Sequence, residues 1–327
     1  MAFPKKYIVV SVLLLVAAAS IIAAGMSRRE RYTLYNIWTA QAQFAGYMYA
    51  DKEGLFREEG LDVEVLYDDS VHSCAQMLES GRAQFVVMDM LNALLARQNG
   101  LKIVNVMQTS QTMSHCIVTR DSVHSIEDLR GKEIVIWHGY NPVLMKAIDA
   151  KTDSTVKWTE VFSGVEAFRE GGFDNIICTS YNEILQLEEM GCNPSSFNKV
   201  YYSEMGINTP EDGVYVTEEF YRSHPDVVKR FVRAATNGWH GAYRNKARAL
   251  EIVMQEMERH NLPHSAYHEM RMLNELERLQ SVDGKVPRKF NLNKRNFEDA
   301  ERMYRLYSGK GAPIAYDEFV VNPLIGE

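Results

Sequence analysis

The stretch Trp38-Thr39-Ala40-Gln41-Ala42-Gln43-Phe44-Ala45-Gly46-Tyr47 runs on through Lys52-Glu53-Gly54-Leu55-Phe56 to Glu59-Gly60-Leu61-Asp62-Val63. Its pattern predicts a strand that delivers polar and aromatic side chains to its carboxyl end, then a helix closed by Gly60, then a second strand. In open α/β sheets the crevice outside such strand ends is where ligands bind. The expectation is a small-molecule site.

The same alternation continues outward from this unit. Tyr32 to Trp38, Val63 to Tyr67, Phe85 to Met88 and Ile103 to Met107 read as short β-rich runs, with helical spacing over 41–59, 71–80 and 90–99 between them. Such alternation implies βαβ units and a largely parallel sheet flanked by helices. Ser80-Gly81 and Asn99-Gly100 stop two of the helices, because glycine tolerates the left-handed conformation that ends them. His115 to Thr119 reads as a strand after which the chain passes into a second lobe. There the alternation restarts: strand Glu133 to Trp137, helix 142–151, strand 156–162, helix 164–170, strand 174–178, helix 181–190. Tyr201-Tyr202 and Val214-Tyr215-Val216 read as strands carrying the chain back. From Pro225 the character is helical, with Val228, Phe231, Val232, Ala235 and Trp239 recurring on one face.

A chain of 327 residues, 46% hydrophobic, is long enough for two lobes with cores of their own. The net charge of -7 comes without any Lys/Arg-rich stripe interleaved with aromatics, which excludes nucleic acid as a partner. Lys5-Lys6 precede an apolar run from Tyr7 to Met26, so residues 1–26 read as a targeting segment. The run is also about the ~20 residues that span a bilayer. A cleaved signal and an uncleaved anchor over 7–26 are therefore both open, and either places the chain outside the cytoplasm, in the periplasm. The four cysteines, Cys74, Cys116, Cys178 and Cys192, permit disulfides in an exported chain, but spacing does not choose among the pairings. No zinc-like cysteine spacing occurs, and Pro263 breaks the helical face that His260 and His264 would need to share, so no metal site is expected.

No nucleophile elbow and no phosphate-cradling loop is present. What the chain has is polar and aromatic residues at strand-to-helix junctions: Trp38, Gln41 and Gln43, then Asp69 beside Asp68 and Ser70, then Asp89. In the second lobe these are Trp137 and His138, then Tyr181, Asn182 and Glu183. Each alone also fits a helix cap or, for the tryptophans, core packing. Together they favour one ligand crevice. An anion would need Arg, Lys or clustered backbone donors, whereas these junctions offer aromatics, amides and carboxylates. A flat amino-substituted heteroaromatic suits them, with a carboxylate such as Glu183 accepting from its amino group.

The opening stretch, together with Leu78 to Phe85, Leu129-Arg130-Gly131-Lys132, Tyr181-Asn182-Glu183-Ile184 and Tyr215-Val216-Thr217 leading into His224 to Phe231, resembles solute-binding proteins of the thiamine pyrimidine precursor family. The resemblance covers most of residues 32–260. It implies a two-lobed periplasmic binding protein fold of the type with two chain crossings, serving an ABC importer whose permease lies in the inner membrane. On that basis lobe 1 comprises 32–115 with 205–327, and lobe 2 comprises 116–204. It also implies that Glu183 supplies an acidic contact to a pyrimidine ring. Some relatives are enzymes that make this pyrimidine, using a lysine and a histidine after the third strand and a cysteine-rich run. Here Met88 and Asn92 stand at the first two positions and no cysteine run occurs near Met205 to Val214, so a binding role without cofactor is expected. A sulfonate or other organic solute is the alternative ligand, and a synthase-like enzyme the alternative role.

Overall fold

The computed structural model describes residues 30–138, 140–162, 164–309 and 311–326. The segment 1–26, read above as signal or anchor, lies outside the described residues. Among the described residues no helix is long and apolar enough to cross a membrane.

The described residues form two five-stranded sheets. The first contains β1 (Arg31–Asn36), β2 (Asp62–Tyr67), β3 (Phe85–Met88) and β4 (Ile103–Gln108). The second contains β5 (His115–Thr119), β6 (Glu133–Trp137), β7 (Lys157–Val161), β8 (Asn175–Thr179) and β9 (Asn198–Tyr201). A last strand, β10 (Gly213–Thr217), returns to the first sheet. The spatial orders are β2-β1-β3-β10-β4 and β7-β6-β8-β5-β9. In each sheet the strand that follows a crossing is the antiparallel one: β10 pairs antiparallel with β3 and β4, and β5 with β8 and β9. The remaining pairs, such as β1 with β2 and β6 with β7, are parallel, as βαβ connections require.

Three expectations change. Helix 41–59 is broken: a 3-10 turn at Ala42–Phe44 leads into a helix Ala45–Lys52, and Gly54 at φ +80° starts a new turn at Leu55–Glu58. Strand β5 belongs to the second sheet instead of preceding the crossing. Tyr201 ends β9, an edge strand of that same sheet, so the return begins after it. Local apolar runs mark a strand, but they do not say which sheet takes it.

The first sheet is covered by the helix Pro225–Arg244, whose apolar stripe buries Val228, Phe231, Val232, Ala235 and Trp239. Phe231 stacks on Phe85 of β3 with ring centroids 3.7 Å apart and on Phe56 at 5.2 Å. Burying a ring of this kind contributes roughly 1.5–3 kcal/mol. The same helix crosses Ala45–Lys52 so closely that a Cβ on Gly238 would fall 2.2 Å from the Gly46 carbonyl oxygen. Only glycine permits that approach.

The carboxyl-terminal helices brace both sheets. Helix Ala266–Gln280 reaches the second sheet's helix Glu183–Glu189 through His268 Nδ1, 3.1 Å from Glu189 Oε2, and through Arg271 on Glu188. Helix Lys294–Ser308 packs against both Met90–Gln98 and Pro142–Asp149. All four cysteines are unpaired thiols, although Cys116 and Cys178 stand opposite each other across β5 and β8.

Candidate functional site

A cavity of about 490 Å³ opens between the two sheets. Its lining includes Trp38, Gln41, Gln43 and Asp89 from the first sheet's junctions, and Trp137, His138, Tyr181, Asn182 and Glu183 from the second's. Each arrives there for a local reason. Trp38, Gln41 and Gln43 follow the end of β1. Asp89 caps the helix Met90–Gln98, its side chain accepting from Asn92 N at 2.9 Å. Glu183 opens the helix Glu183–Glu189 directly after β8.

Asp69 is not part of this cavity. It closes the turn after β2, accepting from Val71 N at 2.9 Å, from His72 N at 2.8 Å and from Tyr35 Oη at 3.2 Å, and it pairs with His72 Nδ1 at 2.7 Å. Those partners hold its carboxyl well below the usual range, led by the His72 hydrogen bond. An acidic residue after a strand is as useful to a turn as to a ligand, and here the turn takes it.

The aromatic walls are unequal. Trp38 is 53% exposed and Phe162, which the sequence reading missed, is 82% exposed. Phe162 packs on His138 with ring centroids 4.4 Å apart. Trp137 is half-buried, and its indole N–H donates to Ile177 O at 3.1 Å, so it packs against the second sheet while one face lines the cavity. His138 Nδ1 lies 3.0 Å from Glu160 Oε1 at the rim.

Three further lining residues carry much of the electrostatics: His115, Glu211 and Asp212. Glu211 Oε1 accepts from both Ser114 N and Ser114 Oγ at 3.1 Å and sits 3.0 Å from His115 Nδ1. That last contact has ion-pair distance without hydrogen-bond alignment. Asp212 Oδ1 accepts from Gln43 Nε2 at 2.9 Å, and Gln43 Oε1 accepts from Gln41 Nε2 at 2.7 Å. Burial, reinforced by the charge of Glu211, pushes the Asp212 carboxyl up to about 7. Burial also raises Asp89 above the usual carboxylate value. For His115 burial opposes protonation, but Glu211, Glu183 and Asp89 outweigh it and hold the imidazole above its ordinary value. One signal could have revealed the acidic pair: two consecutive carboxylates immediately before a glycine and the returning strand. His115 was legible only as the first residue of β5.

Glu183 lines the cavity with its oxygens already engaged. Oε2 accepts from Thr179 N at 2.7 Å and Thr179 Oγ1 at 2.6 Å, and Oε1 accepts from Asn182 Nδ2 at 3.1 Å. Among the described residues neither Lys nor Arg lines the cavity. Such a wall attracts hydrogen-bond donors and cations and repels anions. Among the described residues no group of His, Cys, Asp and Glu is arranged to hold a metal ion.

Fold and cleft together define a two-lobed α/β protein of the periplasmic binding type, built around a small-ligand cavity. The family model described as NMT1/THI5 like matches residues 41–249, and the chain belongs to that family. The riboflavin-binding protein RibY of Chloroflexus aurantiacus is 27% identical over 237 residues, 69% of this chain and 66% of its own length. The formylaminopyrimidine-binding protein of Halalkalibacterium halodurans is 25% identical over 239 residues, 69% of this chain and 70% of its own length. Among solved structures, the periplasmic aliphatic sulphonate binding protein SsuA from Escherichia coli has a TM-score of 0.66 at 11% identity, covering 91% of this chain and 94% of that one. The desulfurization enzyme DSZB shares the fold as well, with a TM-score of 0.58 at 12% identity over 89% of this chain and 97% of that one. The fold by itself therefore does not separate binder from enzyme.

Proposed function

We propose that the chain is the substrate-binding component of an ABC importer, exported to the periplasm, where it captures a flat nitrogen heterocycle between its two lobes. A pyrimidine precursor of thiamine is the ligand we favour. The observation that carries this reading is the cavity's chemistry: aromatic faces, amides and the carboxylates of Asp89, Glu166, Glu183, Glu211 and Asp212, with no Lys or Arg among the described residues of the lining. Planar rings stack on the aromatics, and ring amino groups or protonated ring nitrogens answer the carboxylates. The two relatives are named for riboflavin and formylaminopyrimidine, both flat nitrogen heterocycles, which supports the same class. The likeness in fold to sulphonate-binding proteins is not matched in the lining, where a sulfonate would meet five acidic residues, Asp89, Glu166, Glu183, Glu211 and Asp212, and, among the described residues, no Lys or Arg.

Capture works by a two-lobe hinge. Contacts to both lobes exist together only when the cleft is closed, so a ligand that makes both shifts the population toward closure. The first crossing runs from Gln108 to His115 and the second from Tyr201 to Gly213. A synthase-like enzyme would need a lysine amine to hold an aldehyde cofactor, and the described residues of the lining include none. The test is titration of the purified protein with an aminopyrimidine while following its melting temperature. Stabilisation that grows with ligand concentration is expected. No shift at millimolar ligand would reject the reading.

A further inference from the structure

Glu211 and Asp212 enter the cavity lining from the segment Thr209-Pro210-Glu211-Asp212-Gly213, and both are more than nine-tenths buried, 7% and 5% exposed. The backbone around them is pinned from several directions. Met90 N donates to Pro210 O at 3.1 Å, Gln108 Nε2 donates to Glu211 O, and Thr109 Oγ1 donates to Asp212 O at 2.8 Å. Asp212 is held at φ +50°, in the left-handed region that aspartate tolerates better than most residues. A Cβ on Gly213 would fall 2.6 Å from Gln108 Oε1, so the chain here lies tight against the end of β4.

Yet one oxygen of each carboxylate, Glu211 Oε2 and Asp212 Oδ2, is shut off from water and has no protein partner. Burying such an atom unpaired is costly, and native structures rarely tolerate it without a reason. The partners of the opposite oxygens are fixed: Ser114 on Glu211, Gln43 on Asp212. The situation at Glu183 is the reverse, since Thr179 and Asn182 already occupy its oxygens. Among the described residues no group of His, Cys, Asp and Glu is arranged to hold a metal ion, and a hydrogen-bond donor on a bound molecule would satisfy both oxygens.

Resting on the function proposed above, we infer that Glu211 and Asp212, and not Glu183, are the specificity-determining pair. They read a ligand edge that presents two neighbouring donors, an amino group beside a ring nitrogen that carries a proton. Glu183 serves as a positioning residue that ties Asn182 to the end of β8. The chemical class selected is then an aminated, amidine-like ring edge, against a ring with carbonyls or hydrogens at the same positions.

The experiment compares a formylaminopyrimidine bearing a ring amino group with its analogue in which hydrogen replaces that group, by calorimetric titration. A site built to hydrogen-bond a group rejects the analogue lacking it, so the unsubstituted protein should prefer the amino compound by at least about 100-fold. Glu211→Gln and Asp212→Asn should each reduce that preference at least about tenfold, while Glu183→Gln weakens both compounds alike and keeps the ratio. Retention of the preference in Glu211→Gln and Asp212→Asn, with its loss in Glu183→Gln, would overturn the assignment and leave the proposed function standing. Failure of the unsubstituted protein to bind either compound would instead bring down the proposed function. Should a variant not fold, a crystal structure of the unsubstituted protein with the amino compound decides. The ring amino nitrogen within about 3.2 Å of Glu211 Oε2 or Asp212 Oδ2 supports the assignment, and its placement on Glu183 overturns it.

Discussion

His115 Nδ1 lies 3.0 Å from Glu211 Oε1, so the residue that ends the first crossing is paired with one near the end of the second. Both line the cavity. The two crossings are thereby joined at the cavity, and Ser114 adds two hydrogen bonds from the first crossing to the same Glu211 oxygen. A ligand that engages this carboxylate therefore acts on the junction between the lobes and not on one lobe alone. Under the proposed function, this pairing is what would couple occupancy to closure.

The acidic wall carries a pH signature. The Asp212 carboxyl is raised from 3.8 to about 7 in the folded protein, because burial and the neighbouring Glu211 charge disfavour ionisation, with Asp89 adding to this and His115 and Gln43 opposing it. A raised carboxyl contributes stability that is fully present below the unfolded value and is lost as pH rises through the folded one. The ligand-free protein should accordingly lose stability between about pH 4 and pH 7 on account of this group. Asp212→Asn removes the penalty: chemical denaturation should show the variant more stable by on the order of 2 kcal/mol at pH 8, with the difference vanishing at the acid end. A constant difference at all pH values would place the ionisation elsewhere.

Asp69 makes the opposite case. Its carboxyl is held low by His72 and backbone donors, so its contribution is present above the unfolded value of 3.8 and lost as pH falls below it. Asp69→Ala should lower the melting temperature at neutral pH and lose that effect in acid. Ligand affinity should stay within about twofold, as expected for a surface substitution away from the cleft. A tenfold loss of affinity would return Asp69 to the site.

The close crossing of the helices Ala45–Lys52 and Pro225–Arg244 gives a packing test. A methyl group on Gly238 would sit 2.2 Å from the Gly46 carbonyl oxygen and 2.7 Å from the Ala50 Cβ, so Gly238→Ala must separate the helices. Denaturant titration should show a loss of about 3 kcal/mol, the upper range for overpacking. A neutral effect would mean that the helices slide apart without cost.

Much of this architecture was legible in the sequence, because its markers are local. Gly81 and Gly100 take φ of +70° and +98° and end their helices where expected, and the all-buried β3 and β4 read as continuous apolar runs. The junction residues that line the cavity were legible for the same reason: they sit where a strand ends and a helix begins. Asp69 carries the same local signature and belongs to a turn, since only its hydrogen-bond partners distinguish the two uses. His115, Glu211 and Asp212 depend on how two distant crossings meet, and no periodicity encodes that. Gly54 was hidden by the apolar spacing on either side of it, which is helical whether or not the helix is broken.

On the proposed function, the cleft takes a flat nitrogen heterocycle and refuses an anion. Side-by-side calorimetry of the purified protein with a formylaminopyrimidine and with an alkanesulfonate tests it most directly. Saturable one-to-one binding of the heterocycle and no heat of binding from the sulfonate are expected. Tight binding of the sulfonate with none of the heterocycle would contradict it.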